Sequence, residues 1–190
     1  MKIAITGHTK GIGKSFYNLL QQRGHEMTGF ARSENTNIRR VPFTSQKIAE
    51  CDLFINNAQE SFAQTELLYA VWSKWIGTDK CIWNISTEMT QQPTESVGEN
   101  ETMLDLSMYR TQKTALEIAH HQLVAKSGSP RMILIRPGAV ATQFDQKSPP
   151  RAHVDVWTKT CIDLINLAES NNLEISEFNL APRFENKKSL

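Results

Sequence analysis

A doubly wound α/β domain, with helices on both faces of a mainly parallel sheet, is the fold class predicted by three observations. Short apolar runs alternate with amphipathic runs along the whole chain. The inner runs (KIAIT, DLFIN, KCIWNI, RMILIR) are nearly continuous in apolar character, as strands covered on both faces must be. The stretches between them are long enough for helical crossovers, which implies parallel strands, right-handed connections and a three-layer Rossmann-type architecture.

Lys2–Thr6 is the first strand. Lys14–Arg23 follows as a helix, because Ile12, Phe16, Leu19 and Arg23 recur at helical spacing and Gly24 supplies a stop. Glu26–Ala31 is the second strand. Ile38–Phe43 is expected as a short third strand, confined to an edge by Pro42. Ser45–Glu50 is at most a short helix, and Asp52–Asn56 is a buried strand. Thr65–Trp75 is a helix with Leu68, Val71, Trp72 and Trp75 on one face. Lys80–Ile85 is the next strand. Residues 88–106 are polar and acidic without Lys or Arg, and are expected as a loop. Met108–Lys126 is a long helix with Ala115, Ile118, Ala119, Gln122 and Leu123 as its inner stripe. Arg131–Arg136 is a strand, Val154–Ala168 a helix on Val154, Trp157, Cys161, Ile165 and Ala168, and Leu173–Leu180 a last strand.

The 190 residues suit a single dinucleotide-binding domain, 1–190, with 88–106 and 143–153 as substrate-side loops. A net charge of +1 gives no ground for a nucleic-acid or membrane partner. No apolar run reaches the roughly 18 residues of a membrane span, and the start, MKIAITG, is not a signal peptide. Cys51, Cys81 and Cys161 are odd in number and far apart, which favours a reducing cytoplasm. The five histidines form no metal constellation; the neighbours His120 and His121 face different directions on a helix and are assigned to surface and boundary positions.

The stretch TGHTKGIG follows the first strand and opens the first helix. Such a turn exposes backbone N–H groups and the positive end of the helix dipole, and glycine lets a pyrophosphate approach closely. Gly7, Gly11 and Gly13 are its candidate cradle, although a structural turn would also use them. Lys10 stands where it can meet a phosphate. Arg32 follows the second strand, where an acidic residue would grip a 2′-hydroxyl; a base there favours a 2′-phosphate, and hence NADP(H) over NAD(H). Glu34 opposes this, and both bases can instead be ordinary surface charges.

Four motifs now resemble the short-chain dehydrogenase/reductase family. They are Thr6-Gly7-x-x-x-Gly11-Ile12-Gly13, Asn56-Asn57-Ala58, Tyr109-x-x-x-Lys113 and Pro137-Gly138-Ala139-Val140-Ala141-Thr142, in the family's order over residues 1 to about 145. The resemblance implies cofactor contacts from Thr6, Gly7, Thr9, Lys10, Gly11, Ile12, Gly13, Arg32, Asn56, Asn57, Ala58, Tyr109, Lys113, Pro137, Gly138, Val140 and Thr142. Tyr109 and Lys113 share a helix face. An ammonium beside a phenol is expected to lower the phenol's pKa, so that Tyr109 serves as general acid or base. The resemblance adds that Lys113 binds the nicotinamide ribose, and that a hydroxyl in Asn84-Ile85-Ser86-Thr87, either Thr87 or Ser86, holds the substrate oxygen.

The chain departs from that family at several points. Gln59 stands in place of a glycine, where a positive φ would be costly. The segment between Asn57 and Asn84 is short, and residues 61–82 contain no match for the asparagine that supports a proton-relay water in the family. The acidic stretch can form a lid that discourages anions, or merely a solvated loop. The expectation is an NADP(H)-dependent oxidoreductase acting on a small carbonyl or alcohol, assembled as a homodimer or homotetramer. Its rival is a non-catalytic nucleotide-binding sensor or interaction protein on the same fold. A sugar-nucleotide epimerase fits less well, because no large substrate domain follows residue 145.

Overall fold

In a computed structural model the described residues are 1–92, 102–142 and 151–183, with side chains of 102–105 left aside. Their elements run β1 (Lys2–Thr6), α1 (Gly11–Gln22), β2 (Glu26–Phe30), α2 (Val41–Ile48), β3 (Leu53–Asn56), α3 (Ala63–Trp75), β4 (Cys81–Ile85), α4 (Thr102–Lys126), β5 (Arg131–Pro137), β6 (Val140–Ala141), β7 (Ala152–His153), α5 (Val154–Ser170) and β8 (Glu177–Leu180). Short 3-10 turns lie at Arg32–Glu34 and Glu88–Gln91. Strands in the order β2-β1-β3-β4-β5-β8 form one wholly parallel sheet. The doubly wound α/β fold is as expected.

Strand periodicity divides the core into two layers. Ala4, Phe54, Ile82 and Met132 face α2, α3 and α4. Ile3, Ile5, Ile55, Trp83, Ile133 and Ile135 face α1 and α5. Phe16 of α1 sits edge-on to both Trp83 and Trp157, with ring centroids 6.1 and 6.2 Å apart. From β1 the chain steps one way to β2, then returns past β1 to β3. The carboxyl ends of β1 and β3 therefore flank the switch point, where folds of this kind bind ligands.

Four expectations need correction. The first concerns handedness. Helices α3 and α4 carry β3 to β4 to β5 on one face, whereas α5 carries β5 to β8 in the same direction on the other face. That last crossover has the opposite hand to the other four, because the Trp157, Cys161 and Ile165 stripe of α5 is buried against α1. Second, Ile38–Phe43 is not a strand. Pro42 lies in the first turn of α2, where its missing N–H costs nothing, and β2 is the sheet edge.

Third, α4 begins at Thr102, within the expected loop 88–106; residues 93–101 of that loop and 143–150 of the other lie outside the described ones. Fourth, the buried face of α4 is Lys113, Leu116, Glu117, Ala119, His120 and Leu123, while Ile118 and Gln122 point outward. Polar residues on the inward face disguise its register. Buried His120 is the clearest casualty: burial, aided by His121, pushes its imidazole down to about 4. Among the described residues no helix is long and apolar enough to cross a membrane.

Candidate active site

Three adjoining cavities form a groove over the carboxyl ends of the strands. The largest, about 630 Å³, lies between the loops after β1, β2 and β3 and is lined by Gly7, Thr9, Lys10, Arg32, Ser33, Asn57, Ala58 and Gln59, among others. A second, about 410 Å³, shares Thr9 and Lys10 with it and runs along the start of α1 to Thr142. The third, about 230 Å³, holds Ile12, Asn57, Gln59, Ser86, Thr87, Tyr109, Lys113, Pro137, Gly138, Val140, Thr142 and Arg151. Every motif predicted from sequence therefore meets at one groove.

Backbone geometry shapes its first end. Gly7 and Gly11 adopt φ of +73° and +53°, which L side chains rarely tolerate. A Cβ on Gly13 would lie 2.2 Å from the Gly7 carbonyl oxygen, so loop and helix touch only because it is glycine. Asn57 N and Ala58 N donate to the Thr6 hydroxyl at 3.0 and 2.9 Å, and Asn57 Nδ2 donates to the Thr6 carbonyl at 2.9 Å. Thr6 thus ties β1 to β3 and is fully buried rather than open to the groove. Lys10 and Arg32 are exposed on the cavity wall. The Glu34 carboxylate lies 3.2 Å from His8 Nε2 and is engaged there. Gln59 does not adopt a positive φ; its amide bonds Gln112 of α4 across the groove.

The other end is a buried polar network. Lys113 is 2% exposed, and its ammonium donates to Gln64 Oε1 at 2.9 Å and the Ile85 carbonyl at 2.7 Å. Burial pushes its pKa down to about 7, partly offset by Glu117. Gln64 donates in turn to the Asn56 carbonyl at 2.7 Å, while Asn56 donates to Asn84 at 2.9 Å. Asn56 therefore braces β3 against β4 from inside the sheet, away from the groove. Gln64, from the first turn of α3, is thus the side chain that holds the lysine.

Tyr109 lies one turn before Lys113, whose Nζ is 5.7 Å from the phenol ring centroid. Its hydroxyl pairs with Thr87. The expected lowering of the phenol's pKa is not what the structure gives. Burial raises it, outweighing the Thr87 hydrogen bond, because the ammonium is turned toward Gln64 and Ile85. Ser86 is committed elsewhere: its hydroxyl donates to Glu117, which also accepts from Thr90 at 2.8 Å and from Arg136 Nε and Nη2 at 3.1 and 2.9 Å. Thr87 is the hydroxyl left beside Tyr109. Gln64, Glu117 and Arg136 were not anticipated from sequence. Only the i, i+4, i+8 spacing of Tyr109, Lys113 and Glu117 hinted at a shared face.

No family model matches the sequence, and no curated protein does. Solved structures do. A short-chain dehydrogenase from Burkholderia cenocepacia, in complex with NADP, superposes with a TM-score of 0.72 at 16% identity, over 95% of this chain and 88% of that one. An alcohol dehydrogenase from the archaeon Thermococcus sibiricus, complexed with 5-hydroxy-NADP, gives 0.72 at 17%, over 97% and 99%. A 3-alpha-hydroxysteroid dehydrogenase from Pseudomonas, complexed with NADH, gives 0.64 at 17%, over 95% and 94%. The fold is that of the short-chain dehydrogenases and reductases, a mainly parallel α/β sheet of Rossmann type.

Proposed function

We propose that this chain is an NADP(H)-dependent oxidoreductase of the short-chain dehydrogenase/reductase family, acting on a small carbonyl or alcohol. The observation that carries the reading is one continuous groove of three adjoining cavities with Thr87, Tyr109 and Lys113 at one end and Lys10 and Arg32 at the other. The donor set fits such a ligand. The glycine turn and the start of α1 suit a pyrophosphate, Arg32 and Ser33 suit a 2′-phosphate, and Asn57 and Lys113 suit the nicotinamide ribose. When bound, the cofactor would supply the hydride.

The protein's part is proton transfer and orientation. Thr87 holds the substrate oxygen. Tyr109, half-buried and with a raised pKa, keeps its proton through the physiological range and gives it to that oxygen as the carbonyl is reduced. Lys113, held by Gln64 and the Ile85 carbonyl with its Nζ 5.7 Å from the phenol ring centroid, serves to position the cofactor ribose. Structural neighbours complexed with NADP and with NADH both exist, so the choice rests on Lys10 and Arg32.

The test is a titration of nicotinamide fluorescence with NADPH and NADH. NADPH is expected to bind about tenfold or more tightly than NADH, as one charge-assisted phosphate contact would give. Tighter NADH binding would remove the roles of Lys10 and Arg32, and no binding of either would remove the reading. With NADPH bound, Tyr109→Phe is expected to lower turnover of a carbonyl panel by about 10²- to 10⁴-fold.

A further inference from the structure

The cavity beside Tyr109 carries a charge pattern that hydride transfer alone does not require. Its lining has two cations, Lys113 and Arg151, and no carboxylate among the described residues. The Lys113 ammonium is already committed to Gln64 and the Ile85 carbonyl. Arg151 has no such commitment among the described residues. Its Nε is buried without a hydrogen-bond partner, and no carboxylate among the described residues lies within ion-pair distance of it. A buried donor left unmade is costly, and native structures retain one chiefly where something else completes it.

The backbone beside Arg151 is fixed. Strand β7 begins at the next residue and pairs with β6, Val140 opposite Ala152, and Ala152 N donates to the Ala139 carbonyl at 2.9 Å. This places the guanidinium on the Tyr109 side. The phosphate-side cavities are lined by Lys10, Lys14 and Arg32 and do not include Arg151. Glu88 comes near, with Oε2 2.6 Å from where a Cβ on Gly138 would stand, but it is outside the lining. The described wall thus has the opposite sign to the anion-repelling lid expected from the acidic stretch.

We propose that the substrate is a small oxo acid, or the corresponding hydroxy acid, whose carboxylate is held by the planar fork of Arg151 while its carbonyl oxygen lies against Tyr109 and Thr87. This rests on the oxidoreductase reading above. In the reducing direction the carbonyl carbon gains the hydride and the oxygen gains the Tyr109 proton. The phenolate is then reprotonated from water, and the carboxylate is unchanged. A cavity of about 230 Å³ that also admits a nicotinamide leaves room for only a few carbons.

The experiment compares pyruvate with methyl pyruvate, with NADPH as reductant. The expected result is a kcat/KM about 10- to 100-fold higher for the acid, in line with a charge-assisted hydrogen-bond pair. Arg151→Gln should erase that advantage through KM while leaving the ester and the NADPH Kd within about threefold. Equal use of ester and acid by the unmodified enzyme would overturn the proposal. So would a parallel loss for both substrates with a weakened NADPH Kd, which would assign Arg151 to the cofactor. If neither substrate turns over, the hydride-transfer reading is what fails. Calorimetric binding of pyruvate then decides the carboxylate site independently: binding lost in Arg151→Gln supports it, whereas absent or unchanged binding overturns it.

Discussion

The two ends of the groove are built by different means. At the glycine-loop end the backbone does the shaping, through positive φ at Gly7 and Gly11 and the contact of Gly13 with Gly7, and the charged side chains Lys10 and Arg32 stay exposed. At the Tyr109 end the backbone is regular helix and strand, and buried side chains from α3, β4, α4 and β5 hold one another. The contrast follows from the chemistry each end is suited to. A pyrophosphate of fixed charge needs N–H groups and cations that remain hydrated until it arrives. A proton donor needs desolvation and fixed neighbours to set its pKa.

The contrast breaks most visibly at Glu117. Glu117→Ala should cost about 3–5 kcal/mol in urea unfolding, because buried Arg136 is left with only its contacts to Glu177 at 2.8 Å and Asn179 at 3.4 Å among the described residues, both from Nη1. A loss under about 1 kcal/mol would mean that Glu177 suffices and that the network is not the support described here. At the other end, Gly13→Ala should cost about 1–3 kcal/mol, since the new Cβ meets backbone rather than a yielding side chain. It should also weaken NADPH binding while leaving the Lys113 titration, read by NMR of labelled lysine, unmoved. A shifted Lys113 would show that the two ends are coupled.

The smallest effect is a slope. The Lys113 pKa falls from 10.5 to about 7 on folding, so between those values the unfolded chain binds more protons than the folded one. Stability therefore rises with pH there, by at most about 1.4 kcal/mol per pH unit, and Lys113 adds no slope below the window. Above about pH 9 the thiols act in the opposite sense, because burial pushes Cys161 up to about 12, so the useful range ends near pH 8.5. Lys113→Met should flatten the rise between pH 7 and 8.5. An identical slope in both proteins would place the ammonium in water rather than against Gln64.

Much of the fold could be read from linear sequence because it depends on short-range patterns. KIAIT, DLFIN, KCIWNI and RMILIR are apolar enough to be strands wherever they lie, and TGHTKGIG has the glycines that a tight strand-to-helix turn requires. Tyr109 and Lys113 were visible because one helical turn separates them. Ile38–Phe43 misled because its apolar residues suit either a strand or a helix entry, and α2 settles the matter by burying Ile48 with its packing partners in the core.

Three things were decided only by tertiary structure. The engagement of the Ser86 hydroxyl depends on Glu117, 31 residues away, and leaves Thr87 as the hydroxyl beside Tyr109. The support of Lys113 by Gln64 spans 49 residues. The hand of the α5 crossover depends on which sheet face has room for Trp157. Sequence by itself determined the inner strands, the glycine turn and the Tyr109–Lys113 pair on one helix face, because each is specified within about one turn of helix or one strand. The burial that sets the charge of Lys113, and the Arg151 Nε that has no partner among the described residues, exist only once distant segments have packed together and excluded water.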